Sequence, residues 1–248
     1  MLRNYIDNEN ASHGEWDGWN ATGTATIDQL AAASDPLRGS LGVRVVSTAG
    51  NDVYAQKNNF CGAGDIGLGE SIRFAFRFKP LGTPTGGSSV FLWGDFGGVI
   101  SWLTYFRHTP NDRKLMIAVK DDAGAYQFSG NSTIALTLGR GHRIVVELHR
   151  SNGPGANDGY GTIYVNGQAA ISVTGVDNDV RMGNAGTWFR IGDYYGRDGY
   201  SADFDEIKVG DSLADVEPYR PFQQGPQLSA VQPAIATGII GAHRLLRK

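Results

Sequence analysis

Two stretches of the chain combine aromatic rings with arginine and aspartate, a mixture suited to binding a sugar. One is FRIGDYYGRDGYSADFDE, residues 189–206, predicted to contain a loop, and the other is ISWLTYFRH, residues 100–108, predicted to be a strand. Rings cover the apolar face of a sugar at low side-chain entropy, while polar neighbours bind its hydroxyls. The candidate ligand-binding residues are Tyr194, Tyr195, Arg197, Asp198, Tyr200, Trp102, Tyr105 and Arg107. Packing in the core is the alternative for the tryptophan.

A carboxylate cluster at the end of the first stretch is the best candidate in the sequence for a catalytic acid–base pair. Strand alternation puts Asp203 and Asp205 on one face and Glu206 on the other, so a catalytic pair is not expected. The same alternation puts Asp205 with Ile207 and Val209, on what should be the buried face. A buried carboxylate needs a partner, so Asp205 is predicted to bind backbone amides or an arginine, with calcium as the weaker candidate.

Other reactions lack local support in the sequence. No phosphate-binding G-x-x-x-x-G-K-[ST], no zinc-binding H-E-x-x-H and no G-x-S-x-G nucleophile turn occurs. No calcium loop of the D-x-D-x-D-G type occurs either. The sequence therefore predicts no catalytic residues and no cofactor, with calcium left open.

Composition narrows the range of partners. A formal net charge of -3 and a pI near 5.9 argue against nucleic acid, which binds basic surfaces. No run of about 18 apolar residues is present, so no membrane partner is expected. The beginning, MLRNYIDNENASHGEWDGWN, lacks the apolar core of a secretory signal. We expect location on a virion surface or outside the cell.

Short alternating runs predict that β-strands position these residues. SIRFAFRFK, residues 71–79, alternates apolar and charged side chains, and the pattern returns in LGVRVV, KLMIAVK and RIVVELHR. In TIYVNGQAAISV, residues 162–173, an Asn-Gly pair between two runs predicts a tight hairpin. The predicted interior residues are Phe74, Phe76, Ile144, Val146, Ile163 and Val165. The lone Cys61 is predicted to be a buried free thiol.

The strand-like alternation is lost and prolines become frequent near the C-terminus. Residues 1–212 are therefore predicted to form the domain and residues 213–248 an arm. Pro218, Pro221, Pro226 and Pro233 each lack an amide hydrogen and interrupt both helix and sheet. The apolar and then basic end of the arm is expected to bind other copies of the chain or other assembly proteins. A partly disordered tail is the alternative.

Several segments resemble the laminin-G-like, concanavalin A-like jelly roll. They are EWDGWN at 15–20, GSLGVRVV at 39–46, GTIYVNGQ at 161–168 and DFDEIKVG at 203–210. The resemblance implies an all-β, antiparallel β-sandwich over about residues 3–215. Proteins of this family include glycan-binding modules, glycoside hydrolases, polysaccharide lyases and adhesion domains, so the fold alone does not determine the function.

Two enzyme patterns of this family are missing from the chain. The E-x-D-x-E strand of its hydrolases does not occur, and neither the R-x-E-x-R nor the Q-x-H strand of alginate-lyase-like members is found. His142 and His149 flank one strand on opposite faces, which predicts edge or surface positions for them. The resemblance therefore implies no recognisable catalytic set, and we expect the chain not to be an enzyme.

The function expected from sequence is that of a non-catalytic structural or adhesion protein on a lectin-like jelly roll, on a virion surface as a capsid decoration or tail component. A surface glycan is an expected further partner. The alternative is a soluble glycan-binding module of a polysaccharide-processing system. A polysaccharide lyase or glycoside hydrolase is the third candidate.

Overall fold

The computed structural model of the chain describes residues 2–6, 16–30, 42–48, 50–84, 87–107, 112–194 and 199–216. A compact unit spans residues 1–217, and a second unit comprises residues 218–248. The predicted C-terminal arm lies outside the described residues, apart from its first four positions.

The described residues form fifteen strands and two short helices. The strands are β1 (Leu2–Ile6), β2 (Gly18–Ala21), β3 (Thr26–Leu30), β4 (Gly42–Val46), β5 (Val53–Cys61), β6 (Ser71–Pro80), β7 (Ser88–Phe96), β8 (Val99–Arg107), β9 (Lys114–Lys120), β10 (Tyr126–Phe128), β11 (His142–His149), β12 (Gly159–Val165), β13 (Gln168–Val176), β14 (Gly186–Tyr194) and β15 (Ser201–Gly210). The helices are α1 (Asp179–Met182) and α2 (Leu213–Val216). Neither described helix has the length and hydropathy to span a membrane.

These strands pair into two antiparallel sheets that form a sandwich, as the sequence predicted. The first sheet has the order β13-β12-β11-β6-β15-β4-β3, with β1 also paired to β15. The second sheet has the order β10-β9-β8-β7-β14-β5-β2. Strands distant in sequence lie at the centre of each sheet, so neither sheet is a simple meander.

The period of two in β6 explains the division between the core and the outer face of the first sheet. Phe74 and Phe76 point between the sheets and are 0% exposed, and in register they oppose Val146 and Ile144 of β11. All six residues predicted for the interior are no more than 1% exposed, so that prediction is confirmed. Cys61 is also a buried free thiol.

The predicted hairpin joins β12 to β13. Asn166 and Gly167 adopt φ angles of 51° and 83°, the left-handed values that a two-residue turn requires. The Asn166 side chain also accepts a hydrogen bond from the Arg143 backbone at 2.9 Å. The turn therefore sets the register of β12 and β13 and attaches it to β11.

A bulge in β15 corrects the expected orientation of the carboxylates. The register with β6 shifts between Asp205 and Lys208, and Glu206 has a φ of 48°. Asp205 pairs directly with Arg77 and shares its outward face, whereas Ile207 lies in the core. The prediction that Asp205 and Ile207 share one face is therefore wrong, because the extra residue reverses the alternation. Asp205 is nevertheless 0% exposed and accepts a hydrogen bond from the Glu206 backbone.

The bulge brings Glu206 against a buried arginine. Arg77 Nε donates to Glu206 Oε2 at 2.6 Å, and the two side chains are 8% and 2% exposed. Removing one member of a buried ion pair leaves a desolvated charge without that counterion.

We expect Glu206→Ala to lower the free energy of unfolding by about 3 kcal/mol. Lys57→Ala is the control, since the Lys57–Asp17 pair is more exposed, at 24% and 37%, and its loss costs at most about 1 kcal/mol. Urea unfolding followed by circular dichroism measures both variants. Equal losses in the two variants would contradict the assigned role of the Glu206 pair.

The end of the compact unit gives a second prediction. Val216 of α2 is 0% exposed, and the helix lies against β15 and β6. A chain ending at Glu217 should therefore keep the thermal unfolding midpoint of the full chain within a few degrees, whereas removal of α2 should lower it. Differential scanning calorimetry of the two truncated chains distinguishes these results, and unfolding of the longer one would refute the boundary.

Candidate functional site

Among the described residues, the outer face of the second sheet holds a group of aromatic side chains outside the main core. Strand alternation in β5, β7, β8 and β14 directs every second residue away from the first sheet. We define the aromatic face by these residues: Tyr54, Trp93, Leu103, Tyr105, Tyr126, Phe128, Trp188, Arg190 and Tyr194. Apolar planes beside a cation, Arg190, form a surface suited to stacking against sugar rings.

Arg190 is held between two rings of this face. Its guanidinium carbon lies 4.0 Å from the Tyr54 ring centroid and 4.2 Å from the Trp188 ring centroid. Arg190 Nε donates to Gln56 Oε1 at 2.6 Å, and the two residues are paired in register between β14 and β5. The cation is therefore fixed in orientation before any ligand binds.

Burial affects the electrostatics of this arginine. Loss of solvent lowers the pKa of Arg190 from its ordinary value, and nearby Tyr54 and Tyr194 oppose that shift. An arginine keeps its charge at any physiological pH. A partly desolvated cation attracts an anion more strongly than one in water, so this position favours a carboxylate or another anionic group.

Trp93 supports the rings around Arg190 from below. The Trp93 ring lies 6.0 Å from Tyr54 at 83° and 5.3 Å from Tyr194 at 33°. Trp93 is 0% exposed, and its Nε1 donates no hydrogen bond to any described residue. It therefore positions Tyr54 and Tyr194 by packing, without contacting solvent itself.

A second group of rings extends the face towards β10. Phe128 lies 6.4 Å from Tyr105 and 6.1 Å from Tyr126, and it is 56% exposed. The Tyr126 hydroxyl donates to the Ile100 backbone oxygen at 2.9 Å, which fixes that ring. The face thus offers stacking surfaces on several strands, an arrangement suited to a chain of several sugars.

Asp95 fixes the backbone beside Arg190. Its carboxylate accepts hydrogen bonds from the Thr187 backbone at 3.1 Å and the Trp188 backbone at 2.9 Å. Asp95 is 0% exposed. This carboxylate therefore supports the start of β14 instead of facing a ligand.

The structure brings some of the predicted ligand-binding residues together and separates others. Tyr105 and Tyr194 are on the aromatic face, and Arg107 follows Tyr105 on the same side of β8, with Nη1 donating to Asn131 at 2.9 Å. Trp102 is 0% exposed in the core, 4.7 Å from the Phe74 ring, so it presents no surface to a ligand.

The loop around the other predicted residues is only partly described. Tyr200 is 3% exposed, and its hydroxyl donates to the Gly192 backbone oxygen, so it packs instead of facing solvent. Tyr195, Arg197 and Asp198 lie outside the described residues.

Four residues of the aromatic face were not predicted from the sequence: Tyr54, Trp93, Trp188 and Arg190. The alternation in TWFRIG, which puts Trp188 and Arg190 on one face and Phe189 on the other, contained the signal for two of them. The opposition of β14 to β5 and β7 comes from pairing between distant strands, and the local sequence does not specify it.

The outer face of the first sheet contains a separate polar cluster around Glu147. The Glu147 carboxylate accepts hydrogen bonds from Ser71 at 3.0 Å, Arg73 at 2.8 Å, Tyr160 at 2.9 Å and Tyr164 at 3.2 Å. Glu147 is 3% exposed. These four donors compensate the negative charge of the buried Glu147 carboxylate. Because they come from β6 and β12, the cluster also joins those strands to β11.

The two histidines of β11 occupy opposite faces, as predicted. His149 stacks on Tyr160 at 4.4 Å beside the Glu147 cluster. His142 is 5% exposed on the core side, where Nε2 accepts a hydrogen bond from the Thr137 backbone at 3.0 Å. Burial lowers the pKa of His142. Its burial departs from the predicted edge or surface position.

No protein-family model and no curated protein matches the chain. Solved structures with a similar fold include the alginate lyase vAL-1 from Chlorella virus, with a TM-score of 0.58 at 12% identity over 86% of this chain and 100% of that chain. A carbohydrate esterase, vb_24B_21, from the Shiga toxin-encoding bacteriophage phi24B gives 0.54 at 16% identity over 84% and 97%. The binding domain of Paraclostridial Mosquitocidal Protein 1 gives 0.50 at 11% identity over 87% and 51%.

At these identities the comparison establishes the fold, which agrees with the predicted concanavalin A-like sandwich. The expectation of a non-catalytic virion surface protein is wrong, because structures with this architecture include an alginate lyase and a carbohydrate esterase. The expectation that the chain is not an enzyme is wrong for the same reason. Missing hydrolase and Q-x-H motifs exclude two arrangements of residues, while the sheet faces of a sandwich can hold others.

The Glu147 cluster gives a titration that can be measured. Burial raises the pKa values of Tyr160 and Tyr164, and Glu147 raises both further through hydrogen bonding and charge. In Glu147→Gln, both tyrosines should therefore ionise at a lower pH than in the wild type. Ultraviolet difference spectra during alkaline titration measure the change.

Glu70→Gln is the matched control for this titration, since Glu70 is exposed and bonded to the Gly67 backbone. Its titration curve should coincide with that of the wild type. An unchanged curve in Glu147→Gln would show that Glu147 does not control the two tyrosines.

Proposed function

We propose that the aromatic face binds an acidic polysaccharide and that the chain cleaves it by β-elimination, as a polysaccharide lyase. The observation behind this proposal is Arg190, a partly desolvated cation held 4.0 Å from Tyr54 and 4.2 Å from Trp188. A uronate sugar presents the matching groups, an anionic carboxylate and an apolar ring face.

The proposed reaction needs two functions, and adjacent residues can supply them. Arg190 neutralises the uronate carboxylate, which makes the hydrogen at C5 more acidic. The Tyr54 hydroxyl oxygen takes that proton while it gives its own proton to the leaving oxygen, so it serves as both general base and general acid. The electron pair of the C5–H bond forms the C4=C5 double bond, and the C4–O bond to the leaving sugar breaks.

Elimination fits the described aromatic face better than hydrolysis does. Retaining hydrolysis needs two carboxyl groups about 5 Å apart with access to the substrate. Asp95, next to Trp188 on this face, is 0% exposed and engaged by backbone amides. The proposed elimination needs no such pair, because it requires one group that neutralises the carboxylate and one that transfers protons.

The comparisons support polysaccharide chemistry as the class to test. The names of these two proteins, an alginate lyase and a carbohydrate esterase, indicate action on carbohydrates, and the chain covers nearly all of each structure. Within the sandwich class, we further propose that the chain is laminin-G-like. Support comes from GTIYVNGQ, which lies in β12 and the turn to β13, and from DFDEIKVG, which lies in β15.

Binding without cleavage is the second candidate function. It is favoured by Phe128, whose 56% exposed ring enlarges the face beyond the neighbourhood of Arg190 without adding a group for proton transfer. In that case the chain would be the soluble glycan-binding module of a polysaccharide-processing system.

One set of variants distinguishes the two functions. The chain is mixed with polymannuronate, polyguluronate, polyglucuronate and a neutral glucan. The ultraviolet absorbance of the unsaturated uronate measures cleavage, and calorimetry measures binding. We expect cleavage of at least one polyuronate and of no neutral glucan. Arg190→Lys should weaken binding about tenfold, because a lysine lacks the planar fork.

Tyr54→Phe should keep binding and abolish cleavage, because it retains the ring and removes the hydroxyl. Tyr105→Phe is the matched control on the same face and should keep both. Binding without absorbance change in the wild type would favour the second function. Absence of binding to every polyuronate would refute the proposal.

A further inference from the structure

Three aspartates converge at one edge of the sandwich, away from Arg190. Asp122 lies in the turn between β9 and β10, while Asp177 and Asp179 follow β13. One carboxylate oxygen from each lies within 4.8 Å of the other two. These residues come from segments 55 positions apart in the chain, so the fold brings the three charges together.

Backbone amides hold the first two carboxylates in place. Asp122 accepts hydrogen bonds from the Val180 backbone at 3.0 Å and the Arg181 backbone at 2.8 Å. Asp177 accepts one from the Gly155 backbone at 3.1 Å. Their approach to one another is therefore built into the loop structure.

Asp179 has no such compensation for one of its oxygens. Asp179 is 5% exposed, and its Oδ1 accepts no hydrogen bond from any described residue. Burial raises the pKa of Asp179, and the charges of Asp122 and Asp177 raise it further. The nearby Arg181 donates through Nε to the Asp121 backbone oxygen at 3.0 Å. A buried carboxylate beside two others needs a cation or a shared proton.

We propose that Asp122, Asp177 and Asp179 bind a calcium ion. Oxygens that bind one Ca²⁺ lie about 2.3–2.6 Å from it, so two of them are at most about 5 Å apart. The observed spacing of within 4.8 Å meets that limit. Carboxylate ligands alone favour a hard cation, whereas zinc prefers histidine and cysteine. Water or backbone oxygens complete the coordination.

The ion would connect the two sheets. Asp122 belongs to the turn that joins β9 and β10 of the second sheet, and Asp177 follows β13 at the edge of the first. The Asp122 backbone already donates to the Asp177 backbone oxygen at 2.7 Å. Calcium therefore acts as a structural clamp at this edge, and its binding is a separate property from polysaccharide cleavage.

Calcium titration of the full chain after treatment with a chelator is the test. We expect calorimetry to show one Ca²⁺ per chain, with weaker binding of Mg²⁺, and the thermal midpoint to rise with Ca²⁺ until saturation. Asp179→Asn should lose this rise. Without metal, Asp179→Asn should unfold at a higher temperature than the wild type, because the substitution removes the repulsion between carboxylates.

Asp17→Asn is the matched control, since Asp17 precedes β2 at the opposite edge of the second sheet. It should keep the full response to Ca²⁺. If Asp179→Asn does not fold, Asp177→Asn replaces it and should likewise lose calorimetric binding. A rise of equal size in the wild type and Asp179→Asn would place the ion elsewhere and overturn the proposal.

A shared proton is the competing explanation for the three carboxylates. Carboxylate oxygens within 4.8 Å of one another can also be held together by one proton. Calorimetry separates the two explanations, because a proton-bridged cluster binds no Ca²⁺. Absence of Ca²⁺ binding to the chelator-treated wild type would mean that a proton occupies the cluster, and it would overturn the proposal.

Discussion

Packing of aromatic rings between the two sheets is the interaction on which the rest of the structure depends. Phe74, on the central strand β6 of the first sheet, lies 5.3 Å from Phe60, 4.7 Å from Trp102 and 5.5 Å from Phe189. These three rings belong to β5, β8 and β14 of the second sheet. Burial of one such side chain contributes about 1.5–3 kcal/mol. A single phenylalanine therefore aligns three strands, and the same strands present the aromatic face on their other side.

The sequence predicted the fold well because a period of two has one simple physical solution. Side chains such as Ile144 and Val146 alternate with polar ones, so a strand buried on one face follows directly. The Asn166–Gly167 turn was equally predictable, since few residue pairs tolerate its left-handed angles. The bulge at Glu206 was not, because an inserted residue leaves no mark on composition and reverses the faces beyond it.

The candidate site was predicted only in part, for a different reason. Tyr105 and Tyr194 were found because each stands in a locally aromatic stretch. Arg190 and Tyr54 come from strands more than a hundred residues apart, and their contact depends on the pairing of β14 with β5. Local composition also led to the prediction that Trp102 binds a ligand, although its ring is buried in the core. A tryptophan ring is equally apolar in both places, so composition alone does not distinguish them. The prediction of function from the sequence was wrong for a related reason, since a search for known catalytic motifs detects only the residue arrangements that those motifs describe.

The strand edges of a β-sandwich are places where copies of a chain can associate. An unpaired strand edge is a template for association, and proteins weaken it by shortening or distorting the strand. At one edge β10 has only three residues, Tyr126–Phe128. At the corresponding edge of the first sheet, β13 is longer, but its pairing with β12 is irregular. The register shifts at Ala170 and at Gly175. Both edges therefore lack the long, regular run of backbone groups that an incoming strand requires, and the chain's own topology resists fibril-like growth there.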